Sequence, residues 1–238
     1  MSGPRLIVAP DAAALAEAGA AWLAERLAAT ARRAGRCTVA LAGGNTPRPI
    51  YQRLAAPPLR DRLPWERILL LFGDERCVPP DDPAANYRMA REALAPVLAS
   101  GGARPRLLRI EAERADPGTA AADYDAAVPA IIDVLVLGMG AEGHTASLFP
   151  GSPALAEEQR GYVAVRAPVP PVGRITLTPP RLGAAREILV VAAGADKAAA
   201  AQRALEGELD IVACPAQLAR RGTWLLDDDA ASQLSRQA

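Results

Sequence analysis

The sequence predicts an α/β fold with three layers, helix–sheet–helix, around a mostly parallel sheet. Two observations carry this expectation. Short β-type runs alternate with helical stretches along the chain, the pattern of strand–crossover–strand units. Several of those runs are apolar at every position, as in Ile68-Leu69-Leu70-Leu71-Phe72 and Val134-Leu135-Val136-Leu137. A strand buried on both faces of a parallel sheet has that composition, whereas a half-exposed strand alternates.

In order, Leu6–Ala9 opens as a strand, and the helix Asp11–Arg33 follows. Asp11 is its expected cap, Leu15, Trp22, Leu23 and Leu27 recur at helical spacing, and Gly35 stops it. Strands are then expected at Cys37–Ala42, Arg67–Phe72, Arg106–Ile110, Ile132–Gly138, Tyr162–Arg166, Arg174–Thr178, Ile188–Ala193 and Thr223–Asp227. Helices are expected at Arg48–Ala55, Ala84–Leu98, Gly118–Ala130, Asp196–Leu205 and Pro215–Arg220. The proline-rich Ala167-Pro168-Val169-Pro170-Pro171 reads as a stiff surface loop. The sheet so described is Rossmann-like, but no internal repeat and no Ser/Gly linker divides the chain. Residues 1–238 are expected to form one domain.

Bulk properties exclude several functions. Half of the residues are apolar, and 27 basic residues balance 27 acidic ones. No dense basic run appears, so neither nucleic acid nor a membrane surface is an expected partner. No apolar run reaches the ~20 residues that span a bilayer, and Arg5-Leu6-Ile7-Val8-Ala9 is too short for a signal peptide core. Cys37, Cys77 and Cys214 are scattered and odd in number, as reduced thiols of a cytoplasmic protein would be. With one histidine in the chain, no metal site is expected.

That histidine, His144, follows a buried strand in Gly138-Met139-Gly140-Ala141-Glu142-Gly143-His144. Imidazole is the side chain whose ordinary titration falls near neutral pH. Glu142 can orient it. His144 is therefore read either as a general acid–base or as a histidine satisfied by its own loop. The Gly138-x-Gly140-x-x-Gly143 spacing matches a dinucleotide fingerprint, but Pro150, Gly151 and Pro153 cut off the helix that the fingerprint requires.

Other segments also fall just after strands. Gly43-Gly44-Asn45-Thr46-Pro47 precedes a helix. It reads as a phosphate cradle of backbone amides or as an ordinary turn. Asp74-Glu75-Arg76, with Asn86-Tyr87-Arg88 beyond, reads as a pocket rim or as a solvated turn. Arg174 opens a strand with donors suited to phosphate. Lys197, the one lysine, stands in the first turn of a helix, where the dipole disfavours a cation unless an anion is near. No nucleophilic Ser-His-Asp or Cys-His signature is present.

Taken together, these segments resemble the 6-phosphogluconolactonase family. Gly43-Gly44-Asn45-Thr46-Pro47, Asp74-Glu75-Arg76-Cys77-Val78-Pro79, the stretch Gly143-His144-Thr145-Ala146-Ser147-Leu148-Phe149-Pro150-Gly151, Arg174-Ile175-Thr176-Leu177-Thr178 and Lys197 occur in the family's order. Pro215-Ala216-Gln217-Leu218 and Trp224-Leu225-Leu226-Asp227 fit its tail. Two departures stand out. Asn45 replaces a more usual serine, and Ala141-Glu142 replaces Pro-Asp before Gly143-His144.

The resemblance implies a fold similar to glucosamine-6-phosphate deaminase and hydrolysis of 6-phospho-D-glucono-1,5-lactone in the oxidative pentose phosphate pathway. No metal or organic cofactor is implied. It implies His144 as general base with Glu142 beside it. Gly43, Gly44, Asn45, Thr46, Asp74, Arg76, Arg174 and Lys197 would hold the substrate and its phosphate. Amides around Gly138–Gly143 are the expected oxyanion donors. The partner is a small sugar phosphate, and the protein is expected to be a monomer or small homo-oligomer.

Two rivals are weaker. An amino-sugar-phosphate deaminase would carry Asp-Glu-Tyr, and Ile-Ala-Phe-Asn after its histidine, where this chain has Arg76 and Thr145-Ala146-Ser147-Leu148. A repressor-type sugar sensor would need a helix-turn-helix segment, for which a first strand at Leu6 leaves no room.

Overall fold

The structure, a computed structural model, describes residues 4–99 and 101–235. Residues 1–3, 100 and 236–238 of the expected domain lie outside it. The strands are β1 (Arg5–Ala9), β2 (Cys37–Leu41), β3 (Ile68–Phe72), β4 (Asp74–Arg76), β5 (Arg106–Leu107), β6 (Val134–Gly138), β7 (Tyr162–Arg166), β8 (Gly173–Leu177), β9 (Glu187–Ala192) and β10 (Thr223–Asp227). The α-helices are α1 (Ala12–Ala34), α2 (Pro47–Leu54), α3 (Asn86–Ala93), α4 (Ala95–Leu98), α5 (Pro117–Ala127), α6 (Pro179–Ala184), α7 (Ala198–Leu205) and α8 (Asp228–Ala231).

Seven strands form a parallel sheet in the order β1-β10-β9-β6-β2-β3-β5, flanked by helices. Its central strands are the continuous apolar runs: Val134, Leu135, Val136 and Leu137 of β6 are all buried. From β2 the chain builds outward through β3 to β5, then returns to β6 on the other side of β2. The loops after β2 and β6 thus part in opposite directions and leave a crevice at their carboxyl ends. Open α/β sheets bind ligands at such switch points.

The second sheet departs from expectation. β4, β8 and β7 do not join the parallel sheet; they form a separate antiparallel sheet of three strands. Asp74–Arg76 is its edge strand, paired with Arg174–Thr176, and not a solvated turn. The 167–172 loop turns β7 into β8, with Ala167 N–H donating to Val172 O at 2.7 Å.

Helix boundaries follow local chemistry. Asp11 caps α1 by accepting from Ala14 N–H at 2.8 Å, and Gly35 ends it at φ 74°. The expected helix 84–98 breaks at Leu94, because Pro96 has no N–H to donate to the preceding turn. Pro129 likewise ends α5 early, since the residue before proline avoids the helical region; Val128 has ψ 135°. The segment at Pro215–Ala219 is a 3₁₀ turn, and Lys197 stands just before α7. β5 is shorter than expected because only Arg106 and Leu107 pair at this sheet edge.

Buried tyrosines finish the strands that lead to the crevice. The Tyr51 hydroxyl of α2 accepts from Ala42 N–H at 2.9 Å and donates to Ala42 O at 3.0 Å, just beyond β2. At the end of β3, Phe72 N–H donates to the Tyr124 hydroxyl at 2.8 Å, and Phe72 O accepts from Tyr162 at 2.9 Å. These contacts supply backbone partners where the parallel ladder stops. They also tie α5 and the small sheet to the large one. Tyr51→Phe removes both partners of Ala42 at once and is expected to cost about 1–3 kcal/mol, measured by urea unfolding at fixed pH.

Candidate active site

Four loops from the carboxyl ends of β2, β3, β6 and β9 enclose a cleft of about 390 Å³. One wall is Gly43, Gly44, Asn45 and Thr46; Asp74, Arg76 and Asn86 come from beyond β3. Opposite stand Gly138, Met139, Gly140, His144 and Ala146, with Lys197 beyond β9. Most residues singled out in the sequence therefore meet here.

Glycine is required at two points of the walls. A Cβ on Gly43 would lie 1.7 Å from Asn86 Oδ1, so the loop after β2 passes directly over that side chain. A Cβ on Gly140 would lie 2.0 Å from His144 Nδ1 and 2.5 Å from Glu142 Oε2. The imidazole lies on the backbone of Gly140, with Phe149 as its aromatic neighbour at 4.6 Å between ring centres.

His144 Nδ1 and Glu142 Oε1 are 2.7 Å apart. Desolvation alone would raise the Glu142 carboxyl. Its own backbone amide, His144 and the Lys197 charge outweigh this and hold it below the usual carboxylate range. An ionised carboxylate only accepts, so Nδ1 donates to it, and in the neutral ring Nε2 then keeps its lone pair. Arg203 steadies the same turn through Glu142 O at 3.3 Å.

Asp74 is 7% exposed, and both of its carboxylate oxygens are occupied. Oδ1 accepts from Asn86 Nδ2 at 3.0 Å and Oδ2 from Ser147 Oγ at 2.6 Å. Asn86 Oδ1 is buried without a partner beside Gly43. Glu75 faces away from the cleft. Its carboxylate accepts from Arg76, Asn86 and Tyr87 N–H at 2.7–2.8 Å, which ties β4 to the start of α3. Burial nevertheless pushes this carboxyl up to about 7, against the pull of those amides and helped by Asp74. Lys197 Nζ lies 2.8 Å from Asp196, which is well exposed.

The structure adds detail to two expectations. Arg174 does not line this cleft. Its Nε donates to Pro171 O at 2.7 Å, and it borders a separate, larger groove of about 1120 Å³ with Cys77, Phe149 and Tyr162. Within the expected oxyanion loop Gly138–Gly143, the amides of Gly140 and Gly143 already donate to His144 O and Gly140 O, each at 3.0 Å, which leaves the other amides of that loop as candidates. Asn86 and Ser147 were not among the predicted site residues. The Asn86-Tyr87 motif was visible in the sequence, but neither side chain's partner was.

Among the described residues, no three His, Cys, Asp or Glu side chains converge as a metal site would. No helix among them is long and apolar enough to cross a membrane.

Comparison with known proteins shows the family to which the chain belongs. Residues 10–226 match the family model of glucosamine-6-phosphate isomerases/6-phosphogluconolactonase. The 6-phosphogluconolactonase of Streptomyces coelicolor is 39% identical, over 98% of this chain and 95% of that protein. That of Mycobacterium tuberculosis is 36% identical, over 94% of this chain and 96% of that protein. The solved 6-phosphogluconolactonase from Trypanosoma brucei superposes with a TM-score of 0.82 at 27% identity, covering 98% of this chain and all of that one. A monomeric glucosamine-6-phosphate deaminase shares the fold at a TM-score of 0.80 and 20% identity, covering 96% of this chain and 99% of its own.

The chain belongs to the glucosamine-6-phosphate isomerase/6-phosphogluconolactonase family. Within it the chain is an enzyme of the lactonase kind, a carboxylic ester hydrolase.

Gly140→Ala is expected to drive the imidazole from its place and lower turnover at least ten-fold while the protein stays folded, as read by circular dichroism beside steady-state rates. A second expectation concerns pH. A Glu75 carboxyl that titrates near 7 when folded, against an ordinary 4.5, binds its proton more tightly in the folded state. Its stabilising contribution is full below about 4.5 and is lost as pH rises through about 7. Urea unfolding at pH 5 and pH 8 should therefore give a fall that Glu75→Gln, though less stable throughout, no longer shows.

Proposed function

We propose that the enzyme hydrolyses 6-phospho-D-glucono-1,5-lactone to 6-phospho-D-gluconate, in the oxidative pentose phosphate pathway of the cytoplasm. Residues 1–238 act as one lactonase domain. The observation that carries this reading is a single imidazole, polarised through Nδ1 by Glu142 at 2.7 Å, facing an amide-lined loop and a lysine across one cleft.

His144 Nε2 takes a proton from a water molecule as its oxygen attacks the lactone carbonyl. The carbonyl oxygen becomes an oxyanion and the carbon tetrahedral. Collapse breaks the bond from that carbon to the ring oxygen, and the imidazolium returns its proton to the departing oxygen. The product is an open-chain carboxylic acid, which ionises. Glu142 holds the ring and stabilises the imidazolium without taking the proton itself.

The phosphate is held at the far end. The Gly43–Thr46 backbone leads into α2, whose amino end favours an anion. Lys197 and Arg76 supply positive charge. Arg174 is opposite Arg76 in the β4–β8 pairing and adds positive charge on the same side of that sheet. Anchoring the distant phosphate fixes the carbonyl beside the imidazole, so binding energy is spent on orientation.

His144→Ala should lower kcat by roughly 10²–10⁴-fold with KM within a few-fold, in a coupled assay on freshly made lactone. Near-normal turnover would remove the base assignment. Lys197→Ala should raise KM at least ten-fold, while Arg174→Ala changes it less than three-fold. The reverse order would bring Arg174 to the phosphate.

A further inference from the structure

The His144 loop is fastened on both sides of a strained residue. Ala146 has φ 48°, a positive value found at no other non-glycine residue among those described, and one that costs an ordinary side chain energy. Before it, Thr145 Oγ1 donates to Gly138 O at 2.9 Å, back to the end of β6. After it, Ser147 leaves the loop altogether. Its Oγ donates to Asp74 Oδ2 at 2.6 Å and its N–H to Thr176 Oγ1 at 3.1 Å. Ser147 is 1% exposed and Thr176 fully buried. Asp74 and Thr176 are themselves opposite each other across β4 and β8. The histidine loop of the large sheet is thereby bolted to the small sheet through one serine.

Asp74 has no oxygen left without a donor from its own chain. Asn86 takes Oδ1, and Ser147 takes Oδ2. A charge-assisted bond of this kind, shielded from water, is among the stronger hydrogen bonds a protein makes. A carboxylate so engaged serves the scaffold, whatever else its remaining lone pairs meet.

We propose that Ser147 is a positioning residue for the lactonase reaction. Through its bond to Asp74 it holds the Thr145–Ser147 turn in its strained form, and so sets the imidazole of His144 at the carbonyl. Asp74, which the sequence placed among substrate contacts, is here the anchor of that turn. The inference rests on His144 being the base, and the test separates the two claims.

Kinetics are measured for Ser147→Ala, His144→Ala and the double variant, on 6-phosphogluconolactone with the full chain. Ser147→Ala is expected to lower kcat about ten-fold with KM within two-fold. In the His144→Ala background the same change should alter the residual rate less than two-fold, since a residue acting through the imidazole has nothing left to act on. Equal losses in both backgrounds, a rise in KM with kcat kept, or no loss would each overturn the proposal. Near-normal turnover of His144→Ala alone would instead remove the base assignment.

The chain's single histidine supplies a second readout. In ¹⁵N-histidine-labelled protein, the one imidazole signal should shift and broaden in Ser147→Ala. An unchanged signal counts against positioning. Should Ser147→Ala fail to fold, Asp74→Asn carries the test: it should show the same fall in kcat with KM kept, and a rise in KM alone would return Asp74 to the substrate.

Discussion

The buried carboxylate of Asp74 is the contact on which the rest of the site depends. It lies on a strand of the small sheet, yet its two oxygens reach α3 through Asn86 and the histidine loop through Ser147. Three segments that come from β3, α3 and β6 are thus brought to one point by one charge. Removing water from a carboxylate is costly unless donors replace it. Asn86 and Ser147 repay that cost and are fixed in return. Next door, Glu75 does the same for the start of α3 with three backbone amides. Two adjacent acids, pointing opposite ways along a β-strand, therefore build the floor of the cleft and hold up what lies beneath it.

The same economy governs the strand ends. A parallel sheet leaves backbone groups without partners where its strands stop, and here the stops coincide with the site. Tyr51, Tyr124 and Tyr162 supply those partners from α2, α5 and β7. Each places an apolar ring in the core and a hydroxyl at the strand end. The crevice between β2 and β6 is consequently rigid at its base and open above. A rigid base suits the proposed reaction, in which the phosphate would be held at one end of a sugar and the chemistry would occur at the other.

Charge is arranged around that crevice. Lys197, Arg76 and the loop before α2 line the same cleft as His144, which Glu142 orients. Glu142 stays ionised because His144 and Lys197 both favour its charged form. The Ala141-Glu142 sequence departs from the family's Pro-Asp, yet the longer arm still reaches Nδ1 at 2.7 Å. The extra methylene is taken up within the turn, where Gly140 leaves room for both side chains.

Much of this was legible in the sequence, and for a local reason. Continuous apolar runs mark strands buried on both faces, so β3 and β6 could be read directly. Asp11, Gly35 and the glycines flanking His144 act on backbone within a few residues of themselves. What could not be read was pairing at a distance. Asp74-Glu75-Arg76 looks like a solvated turn because its partners lie 11–73 residues away, at Asn86, Tyr87 and Ser147. The separation of β4, β7 and β8 from the parallel sheet was hidden for the same reason, as was the turning of Arg174 toward the neighbouring groove. Sequence alone determined most of the parallel-sheet strands and the longer helices, since burial writes its period into the chain. Only the tertiary structure decided which buried charge meets which donor, because that depends on contacts between segments remote in sequence.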